Sequence, residues 1–166
     1  MNVHEQKLPV GGLKLSSELV QLQLHPNDEG STSRILACLA ERHVNLVLAS
    51  MDVLDGLLNG MCCVLAEDRQ TAEMVLQPFA GAYTMRPSVG ALTIFPHRSR
   101  LKLIGRILTA MHTAGLPVYG VASSFSTLSL TTCYLQLDKA VSAVCSVIDL
   151  PENHAPFHPE FRVQQL

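Results

Sequence analysis

Aromatic residues are scarce in this chain, at 5%, and positive charge has no surplus: Lys and Arg number 12 against 14 Asp and Glu, for a net charge of −2. No basic stripe exists to neutralise phosphates, so a nucleic-acid partner is not expected. No apolar run approaches the roughly 20 residues that span a bilayer, and no membrane partner is expected. The opening stretch "MNVHEQKLPVGGLKLSSE" lacks the apolar core of a signal peptide. A cytoplasmic location follows as the expectation.

Signatures of chemistry are missing too. The cysteines Cys38, Cys62, Cys63, Cys133 and Cys145 are odd in number, all lie within apolar patterns, and form no C-x-x-C. They read as buried free thiols, packing as small hydrophobes. The adjacent Cys62 and Cys63 point to opposite faces of a strand, which disfavours a metal site made by the pair. There is no P-loop and no G-x-G-x-x-G. "GVASSFS" from Gly120 has Ser123 at the wrong spacing for a nucleophile elbow and no Gly after it. His154 and His158 stand four apart, a ligand spacing on a helix, but Pro156 and Pro159 exclude that helix. His97 and His112 stand alone and read as surface residues. No catalytic residue, metal or cofactor is expected.

What is present is apolar and periodic. Hydrophobic residues make up 48% of 166 positions and charged residues 16%. That suffices for a buried core in one ordinary domain or two small ones of about 70–80 residues. "RILACLAERHVNLVLAS" from Arg34 aligns at constant offset with "RILTAMHTAGLPVYGVASS" from Arg106. Upstream, "LVQLQLHP" from Leu19 matches "GALTIFPH" from Gly90. Downstream, "LLNGMCCVLAEDRQTAEMVLQPF" from Leu57 matches "TLSLTTCYLQLDKAVSAVCSVI" from Thr127. The chain reads as two copies of one unit.

Each copy predicts the same series. A strand with alternating apolar residues comes first, at Leu22 and Leu24 or Leu92 and Ile94. A helix follows, with Ile35, Leu36, Leu39 and Val44 near one face, or Ile107, Leu108 and Met111. Gly115 and Pro117 mark the end of the second copy's helix. Strands are expected at 46–51 and around 61–65 in copy one, and at 118–123 and 128–135 in copy two. A second helix carries Ala72, Val75, Leu76 and Phe79, or Ala140, Val141, Val144 and Val147. A last strand closes each copy, near 83–88 and near 161–165. The order βαββαβ is the ferredoxin-like unit. The expected fold is therefore α+β: two βαββαβ units with antiparallel sheets and helices on one face, residues 1–18 as an N-terminal extension, 19–88 as unit one and 89–166 as unit two.

This unit serves many functions, so function must come from sites. An RNA-recognition domain would carry stacking aromatics on its third strand, where copy one reads "GMCCVL". A copper chaperone of this fold would carry M-x-C-x-x-C in its first loop, which here has no Cys.

At "PNDEGSTSRILACLAERHVNLVLASM" the chain resembles the ACT domains, specifically the tandem pair at the C-terminus of aspartate kinases. That family follows P-D-x-P-G-x-x-x-x-I/F in the first loop and helix, then G-I/V-N-I in the second strand. Pro26, Asn27, Gly30, Ile35 and Asn45 stand at matching positions, with Glu29 in place of the usual Pro and Asn27 in place of the usual Asp. In copy two, Ser123, Ser124, Ser126 and Ser129 fit the family stretch I-S-T-S-E-x-x-I-S. Copy two departs in its first loop, "FPHRSRLKLIG", which has Arg98 and Arg100 and no H-P-G, and it has Pro117 where copy one has Asn45. The resemblance implies two ACT-type units that bind a free amino acid at their seam, in a regulatory module without its catalytic partner. It also implies assembly as a homodimer or larger.

The physics of the first loop suits such a ligand. Backbone N–H groups at a helix start favour a carboxylate, and Gly30 lets backbone approach it. On this reading Gly30 and Ser31 meet the carboxylate, Asp28 or Glu29 meets the ammonium, and Asn45 and Ser124 support. The site would lie between Asn27, Asp28, Glu29, Gly30 and Ser31 on one side and Val121, Ser123, Ser124, Ser126 and Thr127 on the other. Arg98 and Arg100 are alternative carboxylate holders. The same loop has a plain structural reading, in which Asn27 or Asp28 caps the helix. Three functions stand open: an amino-acid sensor, a ligand-free interaction module for an enzyme or regulator, and the regulatory subunit of an amino-acid biosynthetic enzyme.

Overall fold

A computed structural model describes residues 6–96 and 100–154. Its elements run β1 (Leu8–Pro9), β2 (Gly12–Leu15), β3 (Leu19–Leu24), α1 (Ser31–Glu41), β4 (Leu48–Leu54), β5 (Leu57–Leu65), α2 (Arg69–Leu76), β6 (Tyr83–Phe95), α3 (Leu101–Thr113), β7 (Gly120–Ser123), β8 (Leu128–Cys133), α4 (Leu137–Cys145) and β9 (Ile148–Asp149). The architecture is mixed α+β. The chain divides into two compact units, a continuous one, Glu18–Val89, and a split one made of Met1–Ser17 and Gly90–Leu166.

In the continuous unit the strands lie in the order β4-β5-β3-β6, every neighbouring pair antiparallel. Alternation decides which side chains face the helices. Val20, Leu22 and Leu24 of β3, with Cys62 and Val64 of β5, meet Ile35 and Leu39 of α1 and Ala72 and Leu76 of α2. Full burial of each such Leu or Ile stabilises the fold by about 1.5–3 kcal/mol. The intervening positions Gln21, Met61 and Cys63 are buried as well, so β3 and β5 are covered on both faces.

The split unit repeats this plan with one strand supplied from elsewhere in the chain. β6 lies between β2 and β8, and β8 pairs antiparallel with β7. Leu13 and Leu15 of β2, Leu92 and Ile94 of β6, and Leu128 and Leu130 of β8 form one core with Leu103, Ile107 and Met111 of α3 and Ala140 and Val144 of α4. β1 pairs in parallel with β9.

Two features differ from the sequence reading. The stretch set apart as an extension at 1–18 contributes β1 and β2, and β2 holds the place beside β6 in antiparallel register, Gly12 opposite Phe95 and Leu15 opposite Leu92. The last strand expected near 161–165 falls on residues that lie outside the described ones. β6 also runs on through Pro87, where a strand break was expected. The register slips there, Leu19 pairing with Val89 and Gln21 with Arg86, and Ser88 takes a left-handed φ of 51°. A bulge tolerates a proline that has no N–H to donate. The Ser88 hydroxyl donates to Glu18 Oε1 at 2.6 Å.

The ends of α1 and α3 show the repeat at atomic detail. The N–H of Val44 reaches Leu39 O at 3.0 Å and that of His43 reaches Ala40 O at 2.9 Å; Leu116 reaches Met111 O and Gly115 reaches His112 O at 3.0 and 2.9 Å. Both are Schellman closures, each with a buried apolar pair, Val44 with Leu39 and Leu116 with Met111. The left-handed position is Gly115 in one copy, at φ 66°, and His43 in the other, at φ 58°.

Candidate functional site

The loop before α1 organises itself around Asp28. The N-cap of α1 is Gly30 and no side chain caps it; the expected capping bond from Asn27 or Asp28 is absent. Instead the Gly30 N–H donates to Asp28 Oδ1 at 2.9 Å, and Arg34 Nη2 donates to both Asp28 carboxylate oxygens at 2.9 Å. The Gly30 N–H, then the Arg34 guanidinium, hold the Asp28 carboxyl below its usual range. The Ser31 N–H reaches the Asp28 carbonyl at 3.2 Å, and the Arg34 guanidinium also donates to the Ser31 hydroxyl at 3.4 Å. Gly30 has φ −101°, so no left-handed backbone demands glycine there. A Cβ would instead meet the Arg34 guanidinium, a flexible side-chain end.

Ser31 and Thr32 are buried, and the Thr32 hydroxyl donates to the Leu58 carbonyl at 2.5 Å. This bond ties the helix start to β5. Asn27, Asp28 and Glu29 are exposed and Asn45 is half-buried. Arg34 was not among the expected site residues. Its signal was available, an Arg in the first helical turn six residues after an Asp, but the pairing depends on how the loop folds back.

In the split unit the residues around β7 form a tight turn. Ser124 N–H donates to Thr127 O at 2.9 Å, Thr127 N–H donates to Ser124 Oγ at 3.1 Å, and the two hydroxyls stand 2.8 Å apart. Ser123, Ser126 and Val121 are exposed, and Phe125 between them is 88% exposed. Of the alternative carboxylate holders, Arg98 lies outside the described residues and Arg100 is the residue preceding α3. A cavity of about 510 Å³ opens beside α3 and α4, lined by Arg106, Thr109, Thr113 and Ser146 among others; none of the expected ligand residues lines it. Among the described residues no three His, Cys, Asp or Glu side chains stand together as a metal site would require, and no helix is long and apolar enough to cross a membrane.

No family model matches the sequence, and no curated protein matches it. Solved structures do. The ligand-free regulatory subunit of aspartate kinase from Thermus thermophilus aligns with a TM-score of 0.72 at 20% identity, over 84% of this chain and 99% of that one. The regulatory subunit of aspartate kinase from Thermus flavus gives a TM-score of 0.71 at 20% identity, over 83% and 97%. E. coli aspartokinase III in complex with lysine and aspartate gives 0.64 at 11% identity, over 87% of this chain and 34% of that one. With two βαββαβ-type units in hand, this chain has the fold of the regulatory subunits of aspartate kinases.

Proposed function

We propose that this chain is a non-catalytic regulatory module that senses a free amino acid and passes the signal to an enzyme or regulator. The observation that carries the reading is the extent of the structural likeness: it covers 84% of this chain and 99% of a regulatory subunit of aspartate kinase. A relative of the same fold is described in complex with lysine and aspartate. The proposed site is the loop at 27–32 of the continuous unit. In it a zwitterion exchanges with groups already paired inside the loop. Its ammonium takes the place of the Arg34 guanidinium on Asp28, or pairs with Glu29. Its carboxylate takes the Gly30 and Ser31 N–H groups, which now point at Asp28 oxygens. Asn45 completes the hydrogen bonding.

One observation favours the second reading, a ligand-free interaction module. Asp28, Gly30 and Arg34 in one loop, and Ser124 and Thr127 in the other, are paired within their own turns, so a ligand has to displace bonds already made.

A thermal-shift screen over the free amino acids separates the two. A ligand at one hundred times its dissociation constant stabilises the folded state by roughly 2.7 kcal/mol, and Asp28→Asn should weaken that shift while circular dichroism stays unchanged. No shift from any amino acid at millimolar concentration leaves the interaction module. A shift that Asp28→Asn and Glu29→Gln both leave intact keeps a sensor and moves its site.

A further inference from the structure

The cavity beside α3 and α4 belongs to the split unit alone and takes in none of the first-loop residues. Its volume, about 510 Å³, is that of a small-molecule site. The hollow follows from the sequence. Ile107 and Met111 of α3, with Ala140 and Val144 of α4, go into the core. Outward of that contact, positions 109, 110, 113 and 114 share one face of α3 and carry only Thr and Ala. Across the seam stand Ala143 and Val147. Matching the buried pair Ala72 and Leu76 with Ala140 and Val144 puts Val75 and Phe79 at those two places in the continuous unit. There they pack against its core. With Ala and Val in place of Val and Phe, the split unit's seam has less to fill it, and such space closes only partly by relaxation.

The polar groups of the lining are of two kinds. The Thr109 hydroxyl donates to Gly105 O at 2.9 Å, and the Ser146 hydroxyl donates to Ala143 O at 2.6 Å. Each proton is thus engaged with its own chain segment, and the oxygens present lone pairs. Arg106 brings the charge. Its Nη1 donates to the Gln6 carbonyl at 2.7 Å, which steadies the guanidinium at the rim. Among the described lining residues none is acidic. A guanidinium beside apolar walls favours a carboxylate, which it matches in charge and in planar shape.

We propose that this cavity is a ligand site, separate from the first loop, for a compact carboxylate with a branched aliphatic body. The carboxylate pairs with Arg106, and the body lies on Ala110, Ala114, Ala143 and Val147. An apolar α-amino acid and the corresponding acid without its amino group share this chemistry. In the amino acid, the ammonium donates to the Thr109 and Ser146 oxygens. The site does not rest on the reading of the first loop as a sensor.

Methyl nuclear magnetic resonance on the full chain tests this with three probes: L-leucine, isocaproate and the neutral isocaproamide. The expected result is saturable movement of the Ala110, Ala143 and Val147 methyls with at least one of the two carboxylates at millimolar concentration. The amide should bind at least about tenfold more weakly than that carboxylate. Tighter binding of L-leucine assigns the site to an amino acid and tighter binding of isocaproate to the simple acid; both outcomes support it. Arg106→Gln should weaken the carboxylate by a similar factor. Val147→Phe, which brings in the residue of the other copy, should abolish the movement at Ala110 and Ala143. Asp28→Asn should leave all three methyls responding as in the wild type. Methyls that stay still with both carboxylates, an amide that binds as tightly, or Arg106→Gln binding as the wild type does would each overturn the proposal. If Val147→Phe fails to fold, the amide comparison and Arg106→Gln decide.

Discussion

Asp28 shows how one carboxylate can serve a helix start without capping it. Its oxygens gather the Gly30 N–H and the Arg34 guanidinium, and both favour the charged form. The folded-state pKa therefore lies below the unfolded one. The stabilisation is complete above the ordinary value of 3.8 and is lost as pH falls through the depressed folded value. Urea midpoints measured across the acid range should fall more steeply in the wild type than in Asp28→Asn, and equal slopes would show that the pairing does not persist in solution. The pair is more than half exposed on both sides, so salt should flatten the difference. The sequence marked this loop as a helix start with an acid near it. It did not mark Arg34, because a contact over six residues depends on a fold-back that no period encodes.

Among the elements, α1 and α3 end alike with different residues at the left-handed position. A non-glycine residue there costs about 1–2 kcal/mol. His43→Gly should raise stability by about 1 kcal/mol, which for a chain of this size is a melting temperature higher by about 2–4 °C. Gly115→Ala should lower it by a similar amount. Differential scanning calorimetry reads both, and a fall for His43→Gly would mean that its imidazole makes a contact worth more than the strain. In β5, Gly60 has φ 151°, and a Cβ there would drive into the Ser50 carbonyl and the Met51 Cα of β4. Both are backbone and cannot swing aside, so Gly60→Ala should cost more than about 2 kcal/mol in chemical denaturation. The helices and the strand–helix order were readable because their apolar positions recur in both copies. β2 was not: four residues, GLKL, are too short to show a period, and their partner strand lies far along the chain.

For the whole molecule, the adjacent thiols report on global opening. Burial pushes Cys62 up to about 11 and Cys63 up to about 12, the latter also raised by Cys62. As pH rises past the ordinary value of 9.0, the unfolded chain loses these protons first, and stability falls across the window up to the folded values. Denaturation midpoints should decline between about pH 9 and about pH 11, and the decline should shrink in the Cys62→Ala, Cys63→Ala double variant. At neutral pH these two thiols should resist a thiol reagent until the protein unfolds, while Cys38, Cys133 and Cys145, each half-buried, react sooner. The division into a continuous and a split unit also sets an order of events during synthesis. Glu18–Val89 holds all of its own strands and can close as soon as Val89 is free of the ribosome. The β2 strand, made earlier, has to wait until Gly90–Phe95 is made before it gains its ladder. Over that interval a short apolar strand is left without a mate. Its brevity, and the lysine at Lys14, limit what a neighbouring nascent chain can build on it.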